Sequence, residues 1–231
     1  MFNAAEYLSA SAKELLTRVG RLVPVTYLRL SQAAVNYLAH GRWMHDRGFD
    51  LEERLQSRQQ VWASVAQRVS EQRVLYMEFG VAHGGSMQYW SKMLKNPQSL
   101  FHGFDSFEGL PQAGGRWVKG EFGTAGQVPV LKDERVQFFK GWFQDVLPKY
   151  SVPPHDVLVM NLDADLYSST IYVLKHMRPH IRKGTFVYFD EIHYAEHEQQ
   201  AFDEFVGESK LKFRCVAADK SLAHVFFECL G

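Results

Sequence analysis

Two short acidic runs carry the strongest chemical signal in this chain. The first is Asn161-Leu162-Asp163-Ala164-Asp165, where two acids one residue apart close the apolar stretch 157–162; the second is Asp190-Glu191, which closes the apolar stretch 185–189. Carboxylates this close raise one another's pKa unless something compensates their charge. If the two apolar stretches are neighbouring strands, their ends stand about 5 Å apart. Asp163, Asp190 and Glu191 can then share one hard cation through oxygen ligands, and Mg²⁺ is the expected ion. The alternative for either pair is a helix cap, because acids are favoured at the positive end of the helix dipole.

A second group of residues lies upstream. Residues 78–86 read Glu-Phe-Gly-Val-Ala-His-Gly-Gly-Ser after another apolar run. Glycines there let the backbone approach a ligand and let a helix begin close to it. Their spacing is not that of a dinucleotide fingerprint, and Glu78 stands where a pyrophosphate would be repelled, which favours a neutral or cationic ligand over NAD. Asp105 follows the glycines by about 20 residues, at the end of the next apolar run, where a carboxylate can accept hydrogen bonds from the hydroxyls of a ribose. Trp142 and Phe143 can flank an adenine or a substrate ring, although aromatic residues beside strands more often belong to a core. Among the histidines, His193 shares a loop with the acids.

These residues need a scaffold that brings strand ends together. From residue 73 onward, short apolar runs (74–79, 100–104, 136–139, 157–162, 185–189) alternate with helical stretches (84–94, 142–150, 167–177, 196–206). Such alternation predicts an α/β fold with a mostly parallel sheet and helices on both faces. Ligands in these sheets bind beyond the carboxyl ends of the strands, where both acidic runs and the glycine turn fall. The last runs, 212–216 and 223–228, lie too close for a helical crossover and predict an antiparallel hairpin. Residues 1–70 read as two or three helices from Tyr7 onward, with apolar positions at Leu51, Leu55, Val61, Trp62, Val65 and Val69. They can pack on the core, cover a site or join a second subunit, and we expect a lid or an oligomerisation segment ahead of a catalytic domain over residues 71–231.

Composition narrows the partners. The 231 residues are 46% hydrophobic and 23% charged, and 26 basic side chains balance 26 acidic ones. That is an ordinary globular mixture with no excess charge aimed at nucleic acid or an anionic membrane. No secretory signal pattern and no apolar run long enough for a bilayer is read, and the two cysteines, Cys215 and Cys229, read as buried thiols, so a cytoplasmic setting is expected.

Taken together, residues 78–86, 104–111, 162–170 and 188–191 resemble the macrocin O-methyltransferase family over about residues 76–205. The resemblance implies a Rossmann-like class I methyltransferase fold, S-adenosylmethionine as methyl donor, Mg²⁺ as metal, and a hydroxyl of a sugar, polyol or related natural product as acceptor. The apolar helical segment ahead of residue 71 favours a homodimer or higher oligomer. The resemblance also implies that Glu78, Gly80, Ser86, Asp105 and Ser106 build the donor pocket. Asp163, Asp190 and Glu191 become the metal ligands, and Asp165 the general base. Two other readings stand beside it: a non-catalytic relative that binds the donor or assembles a complex, and an NAD-dependent oxidoreductase, which leaves four carboxylates at adjacent strand ends without a purpose.

Overall fold

The computed structural model describes residues 8–49, 51 and 54–231; Tyr7, the first residue of the expected helical segment, lies outside the described residues. Two compact units divide the chain, residues 1–39 and 40–231. In the first unit, α1 (Ala10–Gly20) is capped by Ser9, whose side chain accepts from the Ala12 amide, and it buries no residue. Pro24 separates it from α2 (Val25–Asp46), which runs unbroken through Gly41. Leu15, Leu22, Leu30 and Leu38 are all exposed.

In the second unit the end of α2 buries His40 and Met44. His40 is held by the Gln199 side chain at 3.0 Å and the Leu222 carbonyl at 2.8 Å. The expected helical register through Leu55 is not met, because Leu55 instead forms a parallel bridge with Asp219 and takes a backbone hydrogen bond to Ala218. Helix α3 (Arg58–Val69) starts after the Ser57 cap and buries Val61, Trp62, Val65, Ala66 and Val69. Its three- and four-residue spacing places those side chains on one stripe against the sheet. The helical segment before residue 71 therefore divides, its later part being built into the core.

A seven-stranded sheet forms the centre, in the order β3-β2-β1-β4-β5-β7-β6. Its strands are β1 (Val74–Phe79), β2 (Leu100–Asp105), β3 (Val136–Lys140), β4 (Val157–Leu162), β5 (Phe186–Phe189), β6 (Phe213–Ala218) and β7 (Val225–Cys229). The first five pair in parallel, and β7 inserts antiparallel between β5 and β6. Strands β1 and β4 are buried along their whole length. Covered on both faces, they read as continuous apolar runs. Helices α4 (Gly85–Met93), α6 (Tyr167–Met177) and α7 (Glu198–Ser209) supply the covering layers. The expected helix over 142–150 is reduced to α5 (Phe143–Val146) and a 3₁₀ turn over Leu147–Lys149. Pro148 accounts for the change, since it lacks the amide that would continue the α-helical ladder.

The chain leaves β1 toward β2 on one side and returns to β4 on the other, so the strand order reverses between β1 and β4. Such a switch point opens a crevice at the carboxyl ends of the strands. Gly80 turns there with φ 95°, and a Cβ on it would overlap the Asp163 carbonyl oxygen. The glycine lets the end of β1 lie against the start of the acidic loop, and a hydrogen bond of 2.9 Å from the Asp163 amide to the Phe79 carbonyl fixes their register.

Candidate active site

A cavity of about 280 Å³ opens at this switch point and is lined at one end by Gly80, Asp105, Ser106, Trp142 and Phe143, at the other by Asp163, Asp165, Asp190 and Glu191. Asp105, the last residue of β2, organises the first end. Its Oδ2 accepts from the amides of Val81 (2.7 Å) and Ala82 (2.8 Å), and its Oδ1 accepts from the Phe107 amide at 2.7 Å. Three backbone donors leave the carboxylate one further lone pair, on Oδ1, for a ligand hydroxyl. The Ser106 hydroxyl accepts from the Glu108 amide at 3.1 Å and closes the same turn. Trp142 is 37% exposed at the N-cap of α5, whereas Phe143 packs edge-on to Phe79 at 5.8 Å. Phe143 is thus partly core; Trp142 is open to the cavity.

Glu78 and Ser86 stand elsewhere. Neither lines the cavity. Glu78 is wholly buried, accepting from the Ser86 hydroxyl at 2.5 Å and the Tyr76 hydroxyl at 2.7 Å, while Asn161 donates to the Tyr76 oxygen at 2.9 Å. Both therefore stand behind the cavity wall: alternation along β1 turns Glu78 toward α4. Burial pushes its carboxyl up to about 7, against the hydrogen bonds from Ser86 and Tyr76 that hold it down.

The acidic end is assembled by β4 and β5, which pair in parallel as expected, with Asn161 opposite Tyr188 and Leu162 opposite Phe189. Burial raises the Asp163 carboxyl well above the usual range, and repulsion from Asp190, Asp165 and Glu78 adds to it. Asp165 is buried, holds a left-handed backbone at φ 57°, and is pushed up to about 7 by burial and then by Glu191 and Asp190. Asp190 behaves oppositely. Burial raises it, but His224, Tyr188 and Arg58 outweigh that and hold it below the usual carboxylate range. Tyr188 donates to its Oδ1 at 2.7 Å, and Arg58 approaches Oδ2 at 3.4 Å. His224 Nδ1 lies 3.3 Å from Oδ1, an ion-pair distance at an orientation outside hydrogen-bond geometry. Glu191 pairs through Oε1 with Arg116 at 3.1 Å, and its buried Oε2 has no partner.

Among the described residues, no three acidic, histidine or cysteine side chains converge around one point. Asp190 faces Arg58 and His224, and Glu191 faces Arg116. The donor chemistry nevertheless fits a hard divalent cation: four carboxylates line one wall, one of them with an orphaned oxygen, and Asp163 and Asp165 are opposed by burial and by their neighbours' charge.

Several site residues escaped the sequence reading. Arg58 opens α3 and Glu198 begins α7; neither adjoins the acids in sequence, and each reaches them only through the fold. His224, between β6 and β7, is among the histidines whose type alone offers a ligand or base, and the fold brings it to Asp190. Arg116 belongs to the loop after Pro111, which also brings Leu110, Glu121 and Phe122 to the cavity. Trp117 anchors that loop, packed edge-on to Tyr194 at 5.0 Å and His197 at 4.8 Å. His193 does not line the cavity.

With this geometry in view, the comparisons with known proteins are specific. Residues 121–227 match the model of the family described as Macrocin-O-methyltransferase (TylF). Over that stretch, just under half of its length, the chain is similar to the macrocin O-methyltransferases. The matched region carries both acidic runs. A curated relative of this group, the 8-demethyl-8-(2,3-dimethoxy-alpha-L-rhamnosyl)-tetracenomycin-C 4'-O-methyltransferase of Streptomyces olivaceus, is 30% identical over 140 residues, covering 50% of this chain and 51% of its own. The chain thus spans about half the length of the curated protein it matches. The O-methyltransferase NovP is 25% identical, with a TM-score of 0.52 over 74% of this chain and 76% of its own. The calicheamicin methyltransferase CalS11 shares the fold at 22% identity, with a TM-score of 0.57 over 96% and 93% of the two chains. The sheet is therefore the mostly parallel methyltransferase sheet with antiparallel C-terminal strands.

Proposed function

We propose that this chain transfers a methyl group from S-adenosylmethionine to a hydroxyl of a sugar, polyol or related natural product, with a divalent cation such as Mg²⁺ at its acidic wall. One observation carries the reading: a single cavity joins a glycine turn, a half-engaged carboxylate and an open indole at one end to four carboxylates at the other. The relatives, O-methyltransferases of natural products, agree with it.

In this reading Trp142 covers the adenine, Asp105 Oδ1 accepts from a ribose hydroxyl, and the Gly80 turn admits the donor's chain. Asp163, Asp190 and Glu191 would hold the cation, whose contribution when bound is to lower the pKa of the acceptor hydroxyl and fix its position. Asp165 accepts the hydroxyl proton. The oxygen then forms its bond to the methyl carbon as the sulfur–carbon bond breaks, with orientation in the cavity supplying much of the acceleration. The exposed leucines of residues 1–39 support a homodimer, with those helices as an oligomerisation segment or lid.

Calorimetric titration of S-adenosylmethionine and S-adenosylhomocysteine, with and without Mg²⁺, tests the donor half. We expect Trp142→Ala, whose side chain carries little structural duty, to weaken binding about tenfold, in line with about 1–3 kcal/mol for stacking a base on an aromatic ring. Asp105→Ala weakens it further by loosening the turn as well. Asp165→Asn should keep donor affinity and lose about 10²–10⁴ in turnover. Absence of donor binding in every condition overturns the proposal; full turnover in Asp165→Asn removes the base.

A further inference from the structure

Glu198 is the polar group least explained by the site as described. It opens α7, is 1% exposed, and accepts from the Glu191 amide through Oε2 at 3.0 Å, while its Oε1 is buried without a partner. Attraction to the helix dipole explains an acid in the first turn. It does not explain one whose second oxygen is left unmet, since exposure to water would keep the dipole term without that penalty. That hydrogen bond seats Glu198 directly behind Glu191, whose side chain closes the acidic wall of the cavity.

We infer that Glu198 is a positioning residue of this wall: Oε2 pins the main chain of Glu191, and Oε1 accepts from a water of the cation held in front of it. The second half rests on the cation proposed above. Groups that orient metal ligands this way typically change affinity about 10- to 100-fold when removed. The Glu191 side chain can then exchange Arg116 for the cation without its backbone moving, because the amide stays tied to α7.

Two readouts on the full chain test it: Mn²⁺ affinity by electron paramagnetic resonance, and hydrogen exchange at the Glu191 amide. Asp163→Asn, expected to abolish Mn²⁺ uptake, reports on the cation site itself. We expect Glu198→Ala to weaken Mn²⁺ at least tenfold and to speed exchange at Glu191 at an unchanged melting temperature. Glu198→Gln, which keeps an acceptor for that amide, should restore protection and part of the affinity. If the alanine variant does not fold, the glutamine variant decides: Mn²⁺ affinity equal to wild type overturns the inference. Unchanged affinity and exchange in Glu198→Ala overturn it equally. Should wild type take up no Mn²⁺, the cation reading fails by itself, Oε1 loses its assigned partner, and exchange at Glu191 alone decides the pinning role.

Discussion

Asp165 and Gly80 hold left-handed backbones on opposite sides of the same crevice, and each shows what a single position contributes. An aspartate tolerates that conformation at modest cost, and holding it there turns a carboxylate into the cavity. Gly80 has no such latitude, since any side chain meets the Asp163 carbonyl. Gly80→Ala is expected to cost about 3 kcal/mol or more, combining backbone strain with a steric clash. Urea unfolding measures it, and a loss under about 1 kcal/mol would show that the turn is not constrained by Asp163. Glu78 offers a second test. Its carboxyl is raised from 4.5 to about 7 in the folded protein. The stability this contributes is fully present below pH 4.5 and is lost as pH rises through about 7, by up to about 3 kcal/mol. Glu78→Gln should flatten that part of the stability–pH curve, so that from pH 4.5 to about pH 8 the variant gains on wild type. Parallel curves for the two proteins would mean that Glu78 ionises in the folded state as it does in the unfolded one.

At the scale of elements, the loop over residues 110–121 behaves as a flap with its own small core. Leu110, Trp117 and Leu166 are buried together with Tyr194 packed on them, and the Leu110 amide bonds the Glu121 carbonyl at 3.0 Å. Arg116 lies over the rings of Trp117 and Tyr194 while reaching Glu191. This cluster is separate from the two that pack the sheet, so its loss should loosen the flap and leave the fold standing. Trp117→Ala is expected to raise hydrogen exchange across residues 110–121 and to raise KM for the acceptor more than it lowers kcat. Global unfolding at the wild-type urea concentration would accompany this; a large fall in that midpoint would instead make the flap part of the main core. The anchoring of this loop was not legible in the sequence. A tryptophan among glycines and charges carries no periodicity, and its partners lie about 80 residues downstream.

The whole molecule couples a deeply packed α/β unit to helices that bury almost nothing in themselves. Many of the exposed large hydrophobic side chains among the described residues lie along α1 and α2, Leu15, Leu30 and Leu38 among them, and exposed apolar surface of this kind marks an interaction site. Replacing Leu15, Leu22, Leu30 and Leu38 together with serine should convert a dimer to a monomer in sedimentation velocity, with donor affinity unchanged. A wild-type monomer at micromolar concentrations would set aside self-association. No described helix is long and apolar enough to cross a membrane, so a bilayer does not account for that surface through a helical span.

The amino-acid sequence by itself determined the alternation of strands and helices and the placement of both acidic runs at strand ends, while the pairing of β4 with β5 came from the fold. The alternation and the placement follow from local periodicity and from apolar runs that must be buried on both faces. Tertiary structure alone decided which carboxylates face the cavity and which lie beneath it. Glu78 and Asp163 look alike in sequence, each ending an apolar strand, yet Glu78 meets Tyr76 and Ser86 in the core while Asp163 lines the crevice. Arg58, Arg116, Glu198 and His224 joined the acids only when four separate elements converged. The charge of a carboxylate is set by whatever the fold places against it, and that distance is not written in the spacing of residues along the chain.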